Sequence, residues 1–278
     1  MSGLTDSAAQ ATIAAACRTL GLPSVAAEAE RLAQQAEWER HSYRAYLATV
    51  LAVEVDDRTT RRVARRISEA HFPRLKRLAD CDCGENGLVT PAQVALLAGG
   101  AYLAHGEPVV LLGDSGTGKT HLLIGLGIAA CEAGLRVRYT TTAALVNELV
   151  EAADERRLSR LLGQYARLDL VCLDELGYLQ LDSRGAELLS HVITARDERA
   201  SIAVASNASF GEWGRVFTDA RLAAAVVDRL TFKAHIIETG TESYRLRATR
   251  ARAIRPTGKP GRPRGGAEST DQGGARSA

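Results

Sequence analysis

Residues 113 to 120 read Gly-Asp-Ser-Gly-Thr-Gly-Lys-Thr, which fills every fixed position of a G-x-x-x-x-G-K-[ST] phosphate loop. The apolar run Val109-Val110-Leu111-Leu112 precedes it and a helical pattern opens at His121, the strand-loop-helix setting that such a loop requires. The glycines let successive backbone N–H groups turn inward, and the helix that follows adds its positive N-terminal dipole, so the segment forms a nest for anionic oxygens. The reading is a nucleoside triphosphate held by Gly113, Asp114, Ser115, Gly116, Thr117, Gly118, Lys119, Thr120 and His121. Lys119 is placed to reach the β- and γ-phosphates and Thr120 to offer its hydroxyl to Mg²⁺.

About fifty residues on, Leu170-Val171-Cys172-Leu173 runs into Asp174-Glu175, the pattern of a Walker B strand. Four apolar residues without alternation fit a strand buried on both faces of a parallel sheet, and ligands of open α/β sheets sit at the carboxyl ends of such strands. Asp174 is then a metal-shell carboxylate. Glu175 is a candidate base for polarising a water toward the γ-phosphate, a role that a kinase with a bound acceptor hydroxyl does not need. A third apolar strand, Ser201 to Ala205, ends in Ser206-Asn207; the Asn207 amide is a candidate to orient the nucleophile, and Asn is also an ordinary turn former. Ala223 to Leu230 reads as a helix with a late arginine, Arg229. From spacing alone two readings stay open: an arginine finger for a neighbouring subunit, or a local ion pair with Asp228 or Asp219.

These residues carry a family resemblance. The chain resembles the IstB-like ATPases, ATP-binding helpers of insertion-sequence transposition, themselves similar to the DnaC helicase loaders and DnaA initiators of the AAA+ class. The resemblance runs from about Leu20 to Arg247. It rests on Leu20-Gly21-Leu22-Pro23, Phe72-Pro73-Arg74-Leu75, Gly116-Thr117-Gly118-Lys119-Thr120-His121-Leu122 and Leu173-Asp174-Glu175-Leu176-Gly177-Tyr178-Leu179. It continues through Ser206-Asn207, Phe210-Gly211-Glu212-Trp213, Asp228-Arg229-Leu230 and Glu242-Ser243-Tyr244-Arg245-Leu246-Arg247. The Gly177-Tyr178-Leu179 and Gly211-Glu212-Trp213 extensions separate this family from generic phosphate-loop proteins. The resemblance implies ATP and Mg²⁺ as cofactors, Asn207 as the sensor asparagine and Arg229 as the finger, with Lys119 and Glu175 completing the catalytic set. It implies DNA and a cognate transposase as partners, and a homo-oligomer with its ATP site at the subunit interface. Little sequence follows the last expected strand, so a helical lid is not expected, and Arg245 is the candidate for an arginine of the kind such a lid contributes.

Length and composition agree. At 278 residues the chain can hold one α/β domain and a smaller module, and 46% hydrophobic content suffices for a core. No run approaches the ~18 uncharged apolar residues of a membrane span and the first residues lack a signal-peptide pattern, so a cytoplasmic protein without membrane partners is expected. Five cysteines, an odd number, suit a reducing compartment. Cys81-Asp82-Cys83 has no second Cys or His pair nearby at zinc spacing and reads as incidental thiols.

The net charge of +2 is unevenly spread: from Arg245 to the C-terminus there are nine Lys or Arg against two acids. Pro256, Pro260, Pro263 and many glycines make residues 251–278 a disordered basic tail by composition. Gly261-Arg262-Pro263-Arg264-Gly265 has the form of a minor-groove hook, with a solubilising tail as the other reading. A second basic cluster, between Arg58 and Arg77, comprises Arg61, Arg62, Arg65, Arg66, Arg74 and Lys76, and the 61/65 and 62/66 spacings put arginines on adjoining faces of one helix. Ala26 to Val53 supplies Leu32, Ala36, Tyr43, Tyr46, Leu47 and Val50 at helical spacing. The expected organisation is therefore a small all-helical N-terminal domain over 1–70, a linker over 71–95, the ATPase domain over 96–250, and the tail. Strands near 109–112, 136–140, 169–173, 201–205 and 234–238 predict a five-stranded parallel sheet with helices on both sides. A helix pair is expected between Ala143 and Ala166, an insertion that by resemblance marks the initiator and loader branch. Its Arg156, Arg157 and Arg160, with Arg61, Arg62, Arg65 and Arg66, are candidate nucleic-acid contacts; a solvated helix face is the other reading.

The expectation is an AAA+ ATPase that assembles on DNA with ATP and assists or regulates a transposase. The same enzyme serving a replicative helicase, as a DnaC-like loader, is the alternative; a small-molecule phosphate-loop kinase is disfavoured by Glu175 and by the lack of a recognisable acceptor lid.

Overall fold

Three helices lead the chain: α1 (Asp6–Leu20), α2 (Pro23–Trp38) and α3 (Tyr43–Glu69). The computed structural model describes residues 5–81, 88–241 and 243. The Glu242–Arg247 motif apart from Ser243, the Arg245 candidate and the basic tail with its Gly261–Gly265 hook lie outside the described residues.

Pro23 opens α2 at a position where a missing N–H costs nothing, but Leu22 before it offers no side-chain cap. Glu54 of α3 supplies the missing acceptor: its Oε2 accepts from the N–H groups of Ser24 (2.9 Å) and Val25 (3.3 Å), and its Oε1 from Arg58 Nε (2.8 Å). The Tyr46 hydroxyl donates to the Ala29 carbonyl (3.0 Å), so α3 runs back along α2, with Val25, Ala29, Leu32 and Val50 buried between them. The apolar spacing read through Ala26 to Val53 as one stretch is broken. Arg40 adopts φ 53° and Ser42 caps α3 by accepting from Ala45 N–H. Tyr43 and Leu47 consequently point outward, 94% and 56% exposed. The Ser42 cap before an apolar pattern was the available sign of that break.

The remaining helices are α4 (Pro91–Ala98), α5 (Ala101–His105), α6 (Lys119–Glu132), α7 (Thr142–Asp154), α8 (Leu158–Ala166), α9 (Ser183–Arg196), α10 (Trp213–Val216) and α11 (Ala220–Thr231). The strands are β1 (Val109–Leu112), β2 (Val137–Thr141), β3 (Leu170–Leu176), β4 (Ser201–Ser206) and β5 (His235–Glu238), all parallel in the order β2-β3-β4-β1-β5. Each expected strand is found within a few residues of its expected place, and α7 and α8 are the expected helix pair.

Strand residues alternate between two cores because successive side chains leave opposite faces of a sheet. Val110, Leu112, Val171, Leu173, Ile202 and Val204 pack with α7, α8, α9, α10 and α11. Val109, Leu111, Cys172, Ala203 and Ala205 pack with α4, α5, α6 and the end of α3 at Ala70. The helical N-terminus thus runs into the sheet domain: the N–H of Tyr139 donates to the Ala70 carbonyl (2.8 Å). Residues 71–81 then cross α6. A side chain on Gly125 would come within 2.6 Å of Leu78 Cδ2, and one on Gly127 within 2.7 Å of Phe72 Cε1, so these two glycines make the groove in which the linker lies.

Arg196, 1% exposed, closes the amino-terminal edge of the sheet. It donates from Nη1 to the carbonyls of Tyr165 (2.6 Å) and Leu168 (3.1 Å) and from Nη2 to that of Ser201 (2.6 Å). Burial pulls its pKa down to about 10. Cys17, Cys131 and Cys172 are buried free thiols, whereas Cys81 is disulfide-bonded, which corrects the reading of Cys81 as an incidental thiol. Among the described residues no helix is long and apolar enough to cross a membrane.

The hydrogen bond from Arg58 holds the Glu54 carboxyl below its ordinary value of 4.5, assisted by the Val25 and Ser24 N–H groups and opposed by burial. A depressed carboxylate stabilises the fold above the unfolded-state pKa, and that contribution is lost as pH falls through the folded one. Glu54→Gln should therefore melt below wild type at pH 7, and the gap should shrink as pH drops from about 4.5 toward 3. Thermal melts across that range check this; a gap independent of pH would contradict it.

Candidate functional site

The phosphate loop bridges β1 and α6 and lies against the exit of β5. Asp114 N–H donates to the Gly240 carbonyl (2.9 Å), and the Thr117 hydroxyl lies 2.6 Å from that of Thr239. Gly113, at φ 146°, cannot carry a side chain here: a Cβ would come 2.4 Å from Thr239 Oγ1 and 2.7 Å from the Gly240 carbonyl oxygen. Lys119, first residue of α6 and buried, donates from Nζ to the carbonyls of Gly113 and Asp114, both at 2.7 Å. Thr120 follows, half-buried. A cleft of about 230 Å³ opens over this turn, lined by Arg74, Lys76, Gly116, Gly118, Lys119, Thr120, His121 and Ile124. Its lining contains three ammonium or guanidinium groups and no carboxylate, which suits a polyanion. Arg74 and Lys76 belong by sequence to the basic cluster between Arg58 and Arg77, but they lie over the phosphate loop; the linker brings them there, held by the contact between His121 Nε2 and the Arg77 carbonyl (2.9 Å).

The acidic pair sits in a bulge. Leu173 pairs with Val204 but Leu176 with Ser206, so β3 carries one residue more than its partner across that interval. The extra residue turns Asp174 inward, 4% exposed, and leaves Glu175 in solvent at φ 61°, a conformation unusual for a residue with a side chain. Strain of this kind clusters at functional sites. Asp174 is fixed on all sides: Oδ2 accepts from the Tyr139 hydroxyl (2.7 Å), Oδ1 from the Glu175 N–H (2.9 Å), and its carbonyl from the Thr142 hydroxyl (3.0 Å). Burial and the bond to Asp174 push the Tyr139 hydroxyl above the usual phenol range. Among the described residues no group of three or more His, Cys, Asp or Glu could hold a metal ion by itself. A hard carboxylate on Asp174 and the Thr120 hydroxyl, both at the carboxyl edge of the sheet, nevertheless fit Mg²⁺, which takes one or two protein oxygens and completes its shell from phosphates and water.

Asn207 follows β4 directly, and a Cβ on Gly177 would lie 3.3 Å from its Oδ1 and 2.7 Å from Ala208 Cβ, so the β3 and β4 exits touch. Trp213, fully buried, anchors this turn by donating its indole N–H to Ser206 Oγ and the Ala208 carbonyl, both at 3.1 Å. Ser209 and Glu212 form a capping box between them. The Gly211-Glu212-Trp213 signature therefore supports the asparagine.

Arg229 lies elsewhere. It is near the end of α11 and ion-pairs with Asp197 (3.6 Å), neither Asp228 nor Asp219; the latter caps α11 at Arg221. It lines a cleft of about 320 Å³ with Glu107, Pro108, Ala200 and Lys233, at the amino-terminal ends of β1, β4 and β5. β1 alone, four residues at about 3.3 Å each, puts more than ~10 Å between that edge and the phosphate loop.

The candidate nucleic-acid arginines are mostly engaged. Arg61 bonds Ser24 Oγ and Asp57, Arg65 and Arg66 pair with Glu69, and Arg157 pairs with Glu155. Arg156 occupies the α7–α8 turn at φ 57°, and Arg160 shares a cleft with Glu148, Glu151 and Arg157. Arg62 lies near Gly134.

The model of the IstB-like ATP binding protein family matches residues 15–252. A protein of Sinorhizobium fredii described as an insertion-sequence ATP-binding protein is 38% identical over 242 residues, 87% of this chain and 81% of that protein. An IS21 ATP-binding protein of Pseudomonas aeruginosa is 36% identical over 225 residues, 81% of this chain and 85% of its own length. Among solved structures, DnaI superposes with a TM-score of 0.50 over 59% of this chain and 90% of its own, at 19% identity, a likeness of fold alone.

Trp213→Phe removes the donor that holds Ser206 and Ala208 and leaves a small void. It should cost about 1–2 kcal/mol or more in urea denaturation; wild-type stability would show that the indole N–H does not hold the turn.

Proposed function

The chain belongs to the IstB-like ATP-binding protein family, associated with insertion sequences, and from that premise we propose that it is an AAA+ ATP hydrolase whose copies assemble on DNA with ATP and assist or regulate a transposase. One observation carries the mechanism. Lys119, Thr120, Asp174, Glu175 and Asn207 lie at the carboxyl ends of the strands, while Arg229 lies at the opposite edge beside Asp197. An arginine there cannot serve a nucleotide on its own phosphate loop, but it can face the loop of a second copy.

In this reading ATP enters the cleft over α6, and the Lys119 ammonium exchanges its loop carbonyls for the β- and γ-phosphates. Mg²⁺, held by the Thr120 hydroxyl and the Asp174 carboxylate, would neutralise charge on those phosphates. Glu175, aimed into solvent by the bulge, takes the proton of the attacking water as its oxygen bonds to the γ-phosphorus and ADP leaves. Asn207 orients that water from the next strand. Arg229 of a neighbouring copy stabilises charge on the transferring group. We assign residues 1–70 to a helical domain, 71–95 to a linker and 96–250 to the ATPase domain. DNA contact is assigned to the arginine faces of α3 and of the α7–α8 turn, with the neutralising pairs described above opened or shared on binding.

Glu175→Gln should bind ATP as wild type does but lose about 100-fold or more in phosphate release; an unchanged rate would remove Glu175 as the base. Arg229→Ala and Lys119→Ala should each be inactive alone, the first still binding ATP and the second not. Mixed, they should regain part of the activity, because an intact loop then meets an intact Arg229. No recovery would leave Arg229 a local role with Asp197.

A further inference from the structure

We propose that Tyr139 is a positioning residue for the Asp174 carboxylate, and that Phe72 ties it to the linker that descends from the N-terminal helices. The proposal rests on the reading of Asp174 as a metal-shell carboxylate and adds what sets its geometry.

The Asp174 side chain has two oxygens and both are held, but unequally. Oδ1 accepts from the N–H of the adjacent Glu175, a bond that any residue at 174 with an oxygen at that place could make. Oδ2 accepts from Tyr139, a side chain of the neighbouring strand, 35 residues away. The register explains the reach: Tyr139 pairs with Cys172 and Thr141 with Asp174, so Tyr139 and Asp174 lie two residues apart along one face of the sheet. This is the arrangement in which an outer partner fixes the orientation of a metal-ligating group, and loss of such a partner typically costs tenfold or more in metal affinity.

Tyr139 is in turn fixed from the N-terminal side. Its N–H donates to the carbonyl of Ala70, which caps α3, and its ring lies 6.1 Å from that of Phe72 at 55°. Phe72 cannot retreat toward α6 without striking it, since only the absence of a side chain at Gly127 makes room for the ring. Ala70, Phe72, Tyr139 and Asp174 therefore form one contiguous path of contacts from the last turn of α3 to the candidate metal carboxylate. A shift of the linker, whether imposed by a client on the N-terminal helices or by DNA, displaces the phenol that holds Oδ2.

The test uses the full chain with ADP, and reads free and bound Mn²⁺ by electron paramagnetic resonance, so that hydrolysis plays no part. Tyr139→Phe should weaken Mn²⁺ binding to the ADP-loaded protein about tenfold, while ADP affinity without metal stays within about twofold of wild type. Phe72→Leu, which keeps the hydroxyl, should shift Mn²⁺ binding the same way by a smaller factor, and serves if Tyr139→Phe does not fold. Asp174→Asn is the reference. If it weakens Mn²⁺ binding and Tyr139→Phe does not, the positioning role of Tyr139 is overturned while the metal reading of Asp174 stands. Wild-type Mn²⁺ affinity in Asp174→Asn would overturn both. An unchanged affinity in Phe72→Leu would overturn the link to the linker.

Discussion

Parallel pairing sets where the strands of this sheet end. Leu112 stands level with Ser206 on one side and Glu238 on the other, and Thr141 with Asp174. Because all five strands point the same way, the turns that leave them gather along one edge, and the phosphate loop, the acidic pair and the strand-end asparagine arrive together although they span nearly a hundred residues of sequence. Helices on both faces bury the strands and leave that edge as the open crevice in which ligands of such sheets sit. The bulge in β3 refines the placement: without its extra residue, strict alternation would put Asp174 and Glu175 on opposite faces of a regular strand instead of one beneath the turn and one out of it.

The same rule places Arg229 at the wrong edge for its own nucleotide. α11 runs antiparallel to the strand that follows it, so its last turn lies beside the start of β5, among Pro108, Ala200 and Asp197. In the proposed role as a finger, a guanidinium separated from its own phosphate loop by the length of a strand is intelligible if two copies share a site. The modest ion pair with Asp197, at 3.6 Å and partly exposed, is weak enough to be exchanged for a phosphate oxygen on assembly.

Much of this was legible in the sequence, for identifiable reasons. Val109–Leu112, Leu170–Leu173 and Ser201–Ala205 are uninterrupted apolar runs, the signature of strands covered on both faces, and each ends in a residue whose chemistry suits a phosphate site. The break at Glu39–Ser42 was masked because helical spacing continues across it, although Tyr43 and Leu47 beyond it face water. The Tyr139 contact was out of reach in principle: it depends on the register of β2 against β3, which no local pattern encodes. The arginine clusters carry a different signal. Their spacing correctly gives a helix face, and the same three- and four-residue spacing sets Glu54, Asp57 and Glu69 beside Arg58, Arg61, Arg65 and Arg66, so the local pairs on that face were legible as well.

The N-terminal helices are fastened to the nucleotide side through Ala70 with Tyr139, Phe72 with Tyr139 and Gly127, Leu78 with Gly125, and Arg77 with His121 and Glu132. In the proposed function, assembly, DNA contact and nucleotide state meet along α6 and at the end of β3. The most direct test of the central claim, that a complete site needs two copies brought together by ATP, is the mass distribution of the full chain on duplex DNA with ADP or with a slowly hydrolysed ATP analogue. The account requires DNA-bound oligomers with the analogue and their loss with ADP; the same distribution in both nucleotides would contradict it.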